Sequence, residues 1–75
     1  MERIFTVQVN GQQHPLAALT DPSTLVIVIA ALELKADRIA VELNGEIVRR
    51  GAWPQTEIRN GDRLEIVHFV GGGLA

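Results

Sequence analysis

Apolar and polar residues alternate early in the chain. Phe5, Val7 and Val9 are separated by Thr6 and Gln8, the period of a strand buried on one face. Asn10-Gly11 follows, a two-residue reversal in which both positions favour positive φ, so residues 12–17 are expected to return as the second strand of a hairpin. Pro15 has no amide hydrogen to give to a ladder, which places the returning strand at a sheet edge. The alternation then gives way to a continuous apolar run, LVIVIAAL, at residues 25–32. Val26, Ile27, Val28 and Ile29 suit a strand by local propensity. Leu25, Val28, Ile29 and Leu32 nevertheless share one helical face, and residues 30–35 are mostly helix formers. The reading is a helix of roughly 11 residues packed across a sheet, opening at Asp21-Pro22 or, a residue or two later, capped by Ser23 or Thr24. Val26 and Ile27 fall off its core face, either filling a broad core or standing exposed.

Period two resumes after a connection at residues 35–37. Ile39, Val41 and Leu43 point inward, Ala40 and Glu42 outward, and a second Asn-Gly, at Asn44-Gly45, turns the chain into a short return over residues 46–48. Residues 49–57 carry no period; Trp53-Pro54 is expected to anchor that crossing with the indole over one end of the core. A third turn, Asn60-Gly61-Asp62, leads into a last strand at residues 63–70. Leu64 and Ile66 lie on its core face, while Val67 and Phe69 fall on the opposite face. One helix against one face of a mixed sheet makes a two-layer α+β domain whose other face is free.

Composition narrows this picture more than it enlarges it. Seventy-five residues form one small domain, and 47% apolar content suffices for a packed core. There is no cysteine, so no disulfide; His14 and His68, the only imidazoles, make a poor metal set. A net charge of -2 argues against nucleic acid as a partner, and the apolar run falls far short of the roughly 20 residues that span a bilayer. The start, MERIFTVQV, does not read as a secretory signal, so the expectation is a cytoplasmic protein with no membrane contact.

The sharpest feature is Gly71-Gly72-Gly73, placed directly after the last strand and followed by Leu74-Ala75. A frayed terminus is the plain reading. The functional one uses the missing Cβ: a glycine tail can thread a channel that any side chain would block, and can carry a carboxylate into another protein's active site. The expected division is residues 1–70 as the folded domain and 71–75 as a flexible tail. Without a following Lys-Ser/Thr and helix, the glycines are no phosphate-binding loop. Val67 and Phe69, outward and beside the tail, mark a docking surface. Around His68 no serine or cysteine nucleophile with a matching base is apparent. Asp62, Glu57 and Glu65 form a carboxylate pair only on paper, and Arg49-Arg50 is either a solubilising pair or a contact for an acidic patch.

Read together, Val9-Asn10-Gly11, the segment IAVELNGEIV at residues 39–48, Asn60-Gly61-Asp62 and DRLEIVHFVGGG at residues 62–73 resemble the ThiS family of thiazole-biosynthesis sulfur carriers over almost the whole chain. That resemblance implies a ubiquitin-like β-grasp fold of four to five strands on one helix, the helix corresponding to residues 24–34. It implies a carrier and co-substrate, not an enzyme, with no intrinsically bound cofactor. An E1-type adenylyltransferase resembling ThiF or MoeB would use ATP and magnesium to adenylate the terminal glycine carboxylate, which aligns with Gly73. A sulfur donor system would convert the adenylate to a thiocarboxylate, and a ThiG-like thiazole synthase would receive the sulfur. Gly71 and Gly72 would thread the channel. Leu74-Ala75 departs from the family pattern, because Gly73 then sits inside a peptide bond. The pair is removed by a protease, is an artificial addition, or holds the protein as an inactive precursor. A molybdopterin-synthase small subunit, a protein modifier joined to lysines and a plain binding module remain as alternative readings.

Overall fold

In a computed structural model, residues 4–69 are described; Gly71, Gly72, Gly73 and the boundary at residue 70 lie outside them. The first hairpin forms as the alternation dictates. Strand β1 (Thr6–Val9) pairs antiparallel with β2 (Gln12–Pro15), Val7 opposite His14. The turn between them holds Asn10 at φ 49° and Gly11 at φ 85°. Glycine meets the second value without the Cβ clash that would strain other residues. Strand β2 ends at Pro15, shorter than the run to residue 17, and lies at the sheet edge as its proline requires.

The apolar run is a helix, but a shorter one than its composition suggests. Ser23–Thr24 first makes a two-residue strand, β3, against Glu57–Ile58, β6. Helix α1 then spans Leu25–Ala31, capped by the Thr24 hydroxyl accepting from the Ile27 amide at 3.4 Å. Asp21-Pro22 therefore lies outside the helix, joined by a cis peptide bond. The helix stops at Leu32 because the next residue, Glu33, turns left-handed at φ 61°. The Glu33 amide donates to Ala30 O and the Leu34 amide to Ile29 O, closing the last turn in the Schellman pattern. Glycine usually fills that position, so a glutamate there gave no sequence signal. Leu25, Val28 and Ile29 are buried; Val26 and Ile27 stand exposed.

The remaining strands are β4 (Ile39–Leu43), β5 (Glu46–Val48) and β7 (Arg63–His68), in a five-stranded sheet of order β2-β1-β7-β4-β5. A 3-10 turn, Ala36–Arg38, leads into β4. Strand β7 is central, parallel to β1 and antiparallel to β4. This mixed sheet under one main helix is the β-grasp arrangement. Its core comprises Phe5, Val7, Leu25, Val28, Ile29, Ile39, Val41, Trp53, Ile58, Leu64 and Ile66. Each fully buried aliphatic side chain contributes about 1.5–3 kcal/mol through the water it sheds. The crossing at residues 49–57 is ordered chiefly as a 3-10 helix, Arg50–Gln55, in which Trp53 is buried and its indole N–H donates to Val48 O at 2.9 Å.

The three Asn-Gly turns share a task that positive φ alone does not reveal. Backbone bonds from Asn44 N to Arg63 O and from Phe69 N to Arg38 O fix which β7 amides face β4. By that alternation the Ile66 amide faces β1 instead. The β1 chain, however, turns away at Asn10. Its side chain takes over: Oδ1 accepts from Ile66 N at 2.7 Å, and Nδ2 donates to Ile66 O at 3.0 Å. Asn44 Oδ1 accepts from Arg63 N at 3.0 Å, and Asn60 Oδ1 accepts from Thr6 N at 2.7 Å. Two of these carboxamides bond directly to β7, and the third closes β1 against the turn that launches it.

Candidate functional site

Register places the outward side chains of β7, β4 and β5 in rows. Glu65 lies opposite Glu42, which lies opposite Ile47. Val67 lies opposite Ala40 in the next row. Arg49 follows β5 in extended backbone and by alternation continues this row beside Ala40. Phe69 donates its amide to Arg38 O in the row nearest the chain end. Val67 and Phe69 are 63% and 41% exposed, and Ile47 is 76% exposed. Both predicted docking residues therefore stand uncovered on one face, next to the residue from which the glycine segment continues. Ile47 adds a third apolar side chain, which its position two residues after Gly45 on a short return strand did not single out.

The other candidates are not brought together. His14 sits on the edge strand level with Val7, while His68 lies six β7 residues beyond Asp62, roughly 20 Å farther along the strand direction. The Asp62 carboxylate accepts from Arg59 N at 2.8 Å and from Asn44 Nδ2 at 3.3 Å, a turn-closing role. Glu57 pairs with Arg59 at 2.9 Å, the one ion pair among the described residues. The paired carboxylates on the sheet are Glu42 and Glu65, a juxtaposition that only register reveals. Among the described residues, no group of three or more His, Cys, Asp or Glu could hold a metal ion, and no helix is long and apolar enough to cross a membrane.

The arrangement supports presentation more than catalysis: a rigid central strand, an open apolar face and a chain end that leaves from both. Comparison with known proteins agrees. The model of the ThiS family matches residues 7–73. A thiazole synthase of Magnetococcus marinus is 34% identical over 67 residues, which cover 89% of this chain but 20% of that protein; the chain thus spans about a fifth of its length. The sulfur carrier protein ThiS of Bacillus subtilis is 34% identical over 89% of this chain and 98% of its own. The crystal structure of the thiamine biosynthesis protein ThiS from Geobacter metallireducens superposes with a TM-score of 0.76 at 32% identity, covering 91% of this chain and 99% of that one. With the sheet order, the helix and the family match agreeing along nearly the whole sequence, this chain belongs to the ThiS family.

Proposed function

We infer that this chain is a sulfur carrier for thiazole formation in thiamine biosynthesis, acting as a co-substrate rather than an enzyme. One observation carries the reading. The family match runs through Gly73 and stops there, on a chain that leaves Val67 of its last strand and Phe69 just after that strand uncovered before the glycine segment. The Gly73 carboxylate is a poor electrophile. An E1-like adenylyltransferase of ThiF or MoeB type joins it to the α-phosphorus of ATP with magnesium, and pyrophosphate leaves. Hydrosulfide from a donor system then attacks the acyl carbon, the acyl–oxygen bond to AMP breaks, AMP leaves, and loss of the sulfur's proton leaves a thiocarboxylate.

The chain's own contribution is presentation. Gly71 and Gly72 pass through the partner's channel, and Val67 and Phe69 dock the domain at its mouth. A thiazole synthase receives the sulfur; that a fifth of such a protein in Magnetococcus marinus resembles this chain supports that partnership. Leu74-Ala75 lies past the family match and blocks the carboxylate until removed.

Intact mass after incubation with the adenylyltransferase, ATP and a sulfur donor tests the reading. A chain ending at Gly73 gains about 16 Da as sulfur replaces oxygen through the activated intermediate. The chain ending at Ala75 stays unchanged unless clipped. No gain with any cognate activating enzyme overturns the carrier role; thiocarboxylation without clipping overturns the account of the last two residues.

A further inference from the structure

The outward face is not only apolar; it carries charge in separate rows along β7. At the end where the chain leaves the sheet, register sets Arg38 beside Phe69 and Arg49 in the Val67 row. Both arginines are exposed, and neither has an ion-pair partner among the described residues. Asp37 is the one neighbouring carboxylate in the turn that leads into β4. One row farther from the chain end, about 7 Å along the strand by its rise, Glu42 and Glu65 stand directly opposite each other. Like charges so paired destabilise a sheet slightly. Arg63 lies beyond them at the start of the strand.

We propose that Arg38 and Arg49 dock against carboxylates on the activating enzyme that border the channel taking the tail, and that the rows of charge fix the level on the sheet at which the partner seats. The inference rests on the carrier reading and specifies its interface. A partner displaced one row away from the chain end would bring its own carboxylates onto Glu42 and Glu65, a like-charge contact that opposes binding. Nucleic acid does not fit the same face, because two carboxylates share it and the chain carries a net charge of -2.

The test compares Arg49→Glu with Arg59→Glu, an equal change of charge away from this face in the β6–β7 turn region. The readout is steady-state thiocarboxylation by an adenylyltransferase that converts the chain ending at Gly73, the parent of every variant here and the wild type of the comparison, so failure of the carrier reading appears first, as an inactive parent chain. Arg49→Glu is expected to raise KM about tenfold at low salt with kcat unchanged, the loss shrinking severalfold in 0.5 M salt as charges are screened. Arg38→Glu should act alike, and Arg59→Glu should stay within about twofold of wild type. Equal KM for Arg49→Glu and wild type, equal losses for Arg49→Glu and Arg59→Glu, or a loss insensitive to salt each overturns the proposal. Thermal unfolding of each variant guards against misfolding; if Arg49→Glu unfolds early, Arg49→Gln carries the same comparison.

Discussion

The bonds between Asn10 and Ile66 offer the most direct measure of how this fold secures its functional strand. Replacing Asn10 with glycine keeps the positive φ accessible and removes only the side chain. Two hydrogen bonds disappear, at 2.7 and 3.0 Å, and the part-buried Ile66 amide and carbonyl lose their partners on that side. At about 1 kcal/mol net per bond the bonds account for about 2 kcal/mol, and removing the Cβ from the left-handed region returns about 0.5–1 kcal/mol, so the net loss is about 1–1.5 kcal/mol. Asn10→Ala loses the same bonds and keeps the Cβ, so it should be the less stable of the two variants. For a domain of this size each kcal/mol moves the unfolding midpoint by about 4–8 °C, so Asn10→Gly should melt roughly 4–12 °C early. Asn44→Gly is the matched control: its φ is 50°, but its bonds to Arg63 N and Asp62 are exposed, and its loss should stay below about 1 kcal/mol. Urea unfolding gives the energies, and amide hydrogen exchange locates them. In Asn10→Gly the Ile66 amide should lose protection beyond the fall in global stability. A loss within about 0.5 kcal/mol of wild type, or unchanged relative protection at Ile66, would refute the view that the carboxamide stands in for a missing strand.

Three further outcomes follow from other parts of the molecule. Glu33→Gly should stabilise the domain by about 0.5–1 kcal/mol in thermal unfolding, because the left-handed helix stop at φ 61° then carries no Cβ. Trp53→Ala should cost about 3–5 kcal/mol, with Trp53→Phe less severe since it loses chiefly the bond to Val48 O; denaturant titration followed by circular dichroism separates them. Gly72→Ala should leave unfolding unchanged while slowing activation, read as the rate of thiocarboxylate formation; equal rates would remove the argument that the channel admits no side chain.

What the sequence revealed follows the physics of each signal. Period two found β1, β4 and β7, because a one-residue slip would bury Glu42 or expose Ile39, and the Asn-Gly turns supplied the returning strands β2 and β5. Parity likewise put Val67 and Phe69 outside, where they are. The helix was legible as a face but not as a length, since Glu33 supplies by conformation the stop that glycine normally announces. The short β3–β6 pair was missed because two residues a side carry no period, and Ile58 was therefore not recognised as core. The rows of charge were invisible for another reason: Arg38, Arg49, Glu42 and Glu65 become neighbours only through strand register, which is a property of pairing rather than of any one segment.

Register also explains why the glycine segment follows β7 and not another strand. Strands β2 and β5 are edges, held by one neighbour each, whereas β7 is flanked by β1 and β4. A tail drawn into a partner's channel loads its strand along the axis, and a load along a strand is resisted by ladder bonds lying across it. Strand β7 meets that load from both sides. Where β1 turns away too early to continue its ladder, Asn10 restores the bond at Ile66, three residues before Phe69. The apolar and charged groups proposed to seat the partner thus stand on the same strand or its immediate neighbours. On the proposed carrier role, docking and threading would act on a strand paired on both sides.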